Sequence, residues 1–256
     1  MARRDESLQA RLERDLAELK LLEIARTYRE VLDEAARNGT SLVEVLATLF
    51  GMEQTARQQR ALQRRLLEAR LPKLKTVAEY DFSFPKRISK AAILRLFDCD
   101  FIARHGCAVL IGPTGTGKSH LLTALGYTAA ERGYSVRHTR VVDMINHLTT
   151  AQINGLLGKA LKTYVRPSLL LLDELGYLPI DKRGADLLFQ VVAARYETGS
   201  IVLTTNRPFR EWGALFDVDN TLATALIDRL MHHGEAIVIQ GASYRMKDKD
   251  PDSTSA

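Results

Sequence analysis

Apolar positions divide the chain into two regimes. In the first, Leu8, Leu12, Leu16 and Leu19, then Leu21, Ile24, Tyr28, Val31 and Ala35, recur at threes and fours with one slip between the two sets. That spacing lines one face of a helix, which Gly39 is placed to stop. Ser41 followed by Glu44 forms a capping box for a second helix, with Leu42, Val45, Leu46 and Leu49 as its apolar side. A third, basic helix follows until Pro72. The pattern predicts a small all-helical amino-terminal domain over residues 1–77, with no internal repeat.

After Pro85 short aliphatic runs alternate with longer amphipathic ones. The runs are CAVLI (107–111), SVRHTR (135–140), SLLLLD (168–173), IVLTTN (201–206) and AIVIQ (236–240). Continuous apolar strands separated by helices predict a parallel five-stranded sheet covered on both faces. The expected class is α/β, with this domain over 78–247 and a disordered tail over 248–256, where no sizeable apolar residue occurs.

Composition fits that picture: 256 residues, 46% hydrophobic and 26% charged, are enough for one substantial core and a small second domain. No apolar run approaches the roughly 20 residues that span a bilayer. The charged first residues do not read as a secretory signal. Cys99 and Cys107 fit neither a disulfide framework nor a zinc site, and a reducing cytoplasm is the expected location. The net charge of +5 is uneven, since residues 54–76 hold Arg57, Arg60, Arg64, Arg65, Arg70, Lys73 and Lys75 against Glu68 alone. Such a cluster suits nucleic-acid phosphates; a solvated helix face is the alternative.

The chemistry gathers in three motifs. GPTGTGKS, Gly112 to Ser119, follows a strand and opens an amphipathic helix. Gly112, Gly115 and Gly117 allow the backbone of this loop, with Pro113, Thr114 and Thr116 between them, to turn N–H groups onto phosphates. Lys118 adds a point charge, the Ser119 hydroxyl is a ligand for Mg2+, and His120 follows in the helix. Asp173 and Glu174 end an apolar strand 55 residues past Lys118. Asp173 is expected to hold Mg2+, and Glu174 to orient or deprotonate the attacking water. Asn206 ends a further strand 33 residues past Asp173 and is expected to reach the γ-phosphate or that water. His232 and His233 carry no metal expectation, because adjacent histidines on a helix point different ways.

Together these motifs resemble the AAA+ superfamily, and the finer resemblance is to its DnaC/IstB branch. GPTGTGKSHLLTALG, LLLLDELGYLPID, LTTNRPFREWGALF and LIDRLMHHGEAIVIQGASYR look like the IstB helper ATPases that insertion sequences encode beside their transposase. The resemblance implies an ATPase with ATP and Mg2+ as cofactors, AAA+ strand order and a homo-oligomer with nucleotide between neighbours. It implies double-stranded DNA and a transposase of the same element as partners, and no membrane. Arg229 matches the arginine-finger position, Arg245 a second, terminal arginine, and YDFSF at 80–84 a segment beside the nucleotide base, the alternative being an aromatic linker packed on the core. Only 11 residues follow Arg245, so no separate carboxy-terminal lid domain is expected. Residues 141–164 are a place for the extra helix of initiator-type members, with Lys159 and Lys162 joining Arg57, Arg60, Arg64 and Arg65 as candidate DNA contacts. A helicase loader of the DnaC/DnaI type is the alternative with the same ATPase core. A small-molecule kinase would fit the phosphate loop but not Asn206, Arg229 or the basic helix.

Overall fold

A computed structural model describes residues 7–216 and 220–244, the side chain of Asn220 excepted. Two compact units divide at Arg64/Arg65. The expected tail over 248–256 and Arg245 lie outside the described residues.

The first unit holds α1 (Leu8–Glu18), α2 (Leu22–Asn38) and most of α3 (Leu42–Ala69). The slip in the apolar register is a turn between two helices rather than an irregularity in one long helix: Lys20 takes a left-handed φ of 56° between α1 and α2. The turn lets both stripes meet, burying Leu16, Ile24 and Tyr28 with Val45 and Leu49. Gly39 ends α2 in the left-handed conformation, φ 66°, that glycine adopts without steric cost. Ser41 and Glu44 exchange the two bonds of a capping box, at 3.0 and 3.3 Å. The expected second and third helices are one, α3, because Gly51 inside it costs only about 1 kcal/mol and no proline intervenes.

Glu53, buried on α3, accepts the backbone N–H groups of Glu23 (2.7 Å) and Ile24 (3.2 Å) at the uncapped start of α2. Its other oxygen receives Arg57 (2.9 Å) and Arg60 (3.0 Å). Burial opposes ionisation, yet these four donors outweigh it and hold the Glu53 pKa below the usual carboxylate value.

The second unit begins thirteen residues earlier than the expected boundary at 77. The reason is local packing: Arg65 Nε donates to the Ala130 carbonyl at 2.8 Å, and Leu71 lies against Gly126. Here β1 (Cys107–Ile111), β2 (Val136–Arg140), β3 (Leu169–Leu175), β4 (Ser200–Thr205) and β5 (Gly234–Val238) form one parallel sheet in the order β2-β3-β4-β1-β5. After α4 (Lys90–Phe97) and the single turn α5 (Asp100–Ala103) come β1 and α6 (Lys118–Glu131), and α4 packs on α6. Between β2 and β3 lie two helices, α7 (Val141–Ile153) and α8 (Leu157–Val165). Then follow α9 (Lys182–Arg195), the short α10 (Trp212–Leu215) and α11 (Asn220–Met231).

Strand alternation sorts the helices into layers. Leu170, Leu172, Ile201 and Leu203 pack with Met144, Leu148, Leu188, Val191 and Leu226 in the main core. Leu171 points the other way, onto α6, where a Cβ on Gly126 would lie 2.6 Å from it. No helix among the described residues is long and apolar enough to cross a membrane.

Candidate active site

The carboxyl ends of β1, β3 and β4 share one edge of the sheet, the edge where open α/β folds bind ligands. From β1 the chain enters the loop at 112–117 and turns directly into α6, whose first residue is Lys118. Gly115 and Gly117 both have φ of 84°, a region that any side chain would strain, and a Cβ on Gly117 would lie 2.5 Å from the Tyr80 ring. The loop therefore aims backbone N–H groups and a helix amino terminus at one point, which suits phosphate. Lys118 is buried and donates to the carbonyls of Gly112 (2.6 Å) and Pro113 (2.7 Å). Burial lowers its pKa to about 8, against the opposing pull of Asp173 and Glu174.

Asp173 is the buried centre of a polar chain. Its Oδ1 accepts from Ser119 Oγ at 3.0 Å and from Thr204 Oγ1, while Thr204 Oγ1 accepts the Glu174 N–H at 2.9 Å. Ser119 and Asp173, the two expected magnesium ligands, are thus brought together as hard oxygen donors, the donor set that magnesium takes. Glu174 has a φ of 64°, and the ladder with β4 shifts register between Leu172 and Leu175. This irregularity takes Glu174 out of the strand pattern and into the wall of a cleft. A non-glycine residue in that conformation costs on the order of 1–3 kcal/mol, strain of the kind that collects at functional sites. Asn206 follows β4, whose end pairs with the ends of β1 and β3. Its Oδ1 is buried without a hydrogen-bond partner among the described residues, leaving an acceptor for a ligand hydrogen.

The cleft, of about 650 Å³, is walled by the phosphate loop, Ser119, His120, Glu174 and Tyr177 on one side and by residues of the 72–85 segment on the other. Tyr80 donates its hydroxyl to the Thr116 carbonyl at 2.9 Å, and burial pushes its pKa up to about 12. Phe84 and Tyr244 meet edge-on at 4.9 Å in the cleft wall, and the Tyr244 N–H bonds to the Gly115 carbonyl at 2.9 Å. The aromatic segment at 80–84 therefore both packs on the loop and lines the cleft.

Arg229 is not among these residues. It lies over the Phe189 ring at 4.7 Å, donates to the Ala225 carbonyl and shares a small pocket with His105, Cys107 and His233. Cys107 opens β1 and the phosphate loop follows its end, so the two are separated by a five-residue strand, about 16 Å at ~3.3 Å per residue.

The candidate DNA contacts divide similarly. Arg57 and Arg60 are engaged by Glu53 and Arg65 by the Ala130 carbonyl, whereas Arg64, Lys159 and Lys162 are exposed. His232 and His233 lie beyond the end of α11, so helical spacing does not separate them; their ring centroids are 4.1 Å apart, with Glu197 nearby.

Two site residues carried no sequence expectation. Thr204 links Asp173 to the Glu174 backbone, and a threonine two residues before a strand-ending Asn was the available signal. His138, buried on β2, places Nε2 4.0 Å from Asp173 Oδ2, and its pKa is lowered by burial against the pull of that carboxylate. A histidine inside a strand was its signal.

The chain is similar to known proteins over most of its length. The family model described as IstB-like ATP binding protein matches residues 14–251. An ATP-binding protein of insertion sequence IS21 from Pseudomonas aeruginosa is 37% identical over 234 residues, covering 91% of this chain and 88% of its own. Its counterpart in insertion sequence IS232 of Bacillus thuringiensis subsp. berliner is 38% identical, covering 91% and 93%. Among solved structures, AMPPCP-bound DnaA from Aquifex aeolicus superposes with a TM-score of 0.57 at 22% identity, over 70% of this chain and 54% of that one. DnaI does so with 0.55 at 19%, over 70% and 92%. At these identities the likeness is one of fold alone.

Proposed function

This chain belongs to the IstB-like ATP-binding protein family, and we propose that it hydrolyses ATP to ADP and phosphate to drive an assembly on DNA that serves a transposase. The hydrogen-bonded chain from Ser119 through Asp173 and Thr204 to the Glu174 backbone carries the ATPase half of this reading. The loop N–H groups and Lys118 bind the triphosphate. Ser119 and Asp173 would hold Mg2+, which when bound draws charge from the phosphate oxygens. Glu174 takes the proton of the attacking water, and Asn206 fixes that water or the γ-phosphate.

Arg229 acts in trans, because the length of β1 keeps it from its own site. That role makes the active form a homo-oligomer with ATP at subunit boundaries, as in arginine-finger systems generally. Arg245 is a second candidate contact to nucleotide. Double-stranded DNA, a transposase of the same element and a cytoplasmic setting are proposed from the relatives' place in insertion sequences. The helicase-loader alternative shares the ATPase core but finds support only in fold likeness.

The test is Glu174→Gln. The variant is expected to bind ATP with wild-type affinity and to lower kcat by at least about 100-fold, the range that a positioned base supplies. Phosphate release at the wild-type rate would remove Glu174 from the chemistry.

A further inference from the structure

The face of the second unit away from the nucleotide cleft carries a groove of about 560 Å³ between the end of α3, the start of β2 and the end of α8. We propose that this groove is a DNA-backbone site in which Arg70, Arg137, Lys162 and Arg166 take the phosphodiesters of a duplex. The inference rests on the reading that the protein binds DNA, and it moves the principal contact from the front of the basic helix to this groove.

Charge pairing is the first ground. Arg57 and Arg60 share a buried carboxylate, so much of their field is cancelled locally. None of the four groove cations forms an ion pair among the described residues. Glu68 is the one carboxylate in the lining, so the groove itself is strongly positive.

The second ground is Arg137. Its Nη1 reaches the Glu68 carbonyl at 3.3 Å and its guanidinium carbon lies 6.0 Å from the Tyr164 ring centroid, but its buried Nε has no hydrogen-bond partner among the described residues. Burial and the neighbouring Arg70 both lower its pKa, so the fold holds like charges together at a cost that an incoming anion would relieve.

Shape and chemistry select the anion. The groove is open to solvent rather than enclosed, which suits a polyanion lying across it better than a captured free phosphate ion. Three of its four cations are arginines, whose planar forks match phosphate oxygens. A phosphodiester repeats its charge along an axis, and one such groove per subunit gives the proposed assembly a track with sequence-independent affinity.

Lys162 and Arg166 are exposed, so their reversal is compatible with folding, and nucleotide affinity controls for it. Fluorescence anisotropy of a labelled duplex, titrated at several KCl concentrations with Mg-ATP, compares the full chain with Lys162→Glu/Arg166→Glu. Loss of two phosphate contacts should make the slope of log affinity against log salt shallower by about 2 and weaken low-salt binding by at least roughly ten-fold. Lys162→Arg/Arg166→Lys should retain wild-type behaviour. Wild-type affinity and slope in the reversed variant overturn the groove while leaving DNA binding standing. Absence of any salt-dependent duplex binding by the wild type overturns the DNA reading and the groove together. If reversal abolishes binding of poly-glutamate but not of duplex, the groove takes acidic protein and the proposal is wrong.

Discussion

Lys118 shows how a single residue couples fold to ligand. An ammonium group this buried is destabilised, and its pKa of about 8 records that cost. Polyphosphate beside it favours the charged form, so nucleotide binding should raise that pKa and, above pH 8, take up a proton. The sign is fixed: below pH 8 Lys118 is already charged and affinity is flat, while above it affinity falls with each further rise until pH passes the raised pKa of the complex. Calorimetry of ATP-analogue binding between pH 7 and 9.5, in buffers of different ionisation enthalpy, should show proton uptake that grows with pH. Uptake that stays at zero would mean that the lysine is fully charged before nucleotide arrives. Lys118→Ala should bind nucleotide weakly at every pH and lose this proton linkage, because the phosphates lose the side-chain charge of the loop.

At the scale of elements, two buried polar side chains join segments that apolar packing alone would leave loose. Arg195, at the end of α9, donates to the carbonyls of Tyr164, Val165, Pro167, Ser168 and Ser200, tying the turn from α8 into β3 to the start of β4. Glu53 does the corresponding work in the first unit by capping α2 from α3. Glu53→Ala would leave the Glu23 and Ile24 N–H groups without that acceptor and should cost about 1–3 kcal/mol. Hydrogen exchange of these two amides should accelerate well before that of the α6 amides. Because the native Glu53 pKa is lowered, its contribution is complete above the ordinary carboxylate range and is lost as pH falls through the lowered native value. The wild-type advantage over Glu53→Ala should therefore narrow under acid; an advantage independent of pH would assign the effect to packing.

For the whole molecule, the separation of Arg229 from the phosphate loop by the length of β1 makes assembly a requirement of the proposed chemistry. Arg229→Ala should bind ATP normally and lose roughly 10³-fold or more in turnover, the lower end of what such fingers supply. Mixed with Lys118→Ala, which keeps its arginine, it should regain part of the activity, since some intact sites then face intact fingers. Mixed assemblies that form yet stay inactive would place the arginine's role inside its own subunit.

The candidate site was legible in the sequence because its residues are set by local spacing. A phosphate loop needs glycines, a lysine and a serine at fixed spacing, and Gly112 to Ser119 supplied them together with the strand before and the helix after. Asp173, Glu174 and Asn206 were legible as acids and amide at the ends of apolar runs, since a buried strand must stop where polar groups meet the sheet edge. Gly39 and the Ser41–Glu44 box fixed one helix junction by short-range bonding. What lies between distant segments was not legible. The slip at Leu19–Leu21 became a turn because two apolar stripes had to face one core. Arg57 and Arg60 looked free until Glu53, itself drawn inward by two amides of another helix, claimed them. Thr204 and His138 joined the site through strand register, and the groove cations came together from three elements far apart in the chain. Spacing along the chain specifies backbone geometry and which groups are present; the pairing of charges, and the end of the sheet each one faces, depends on tertiary contacts.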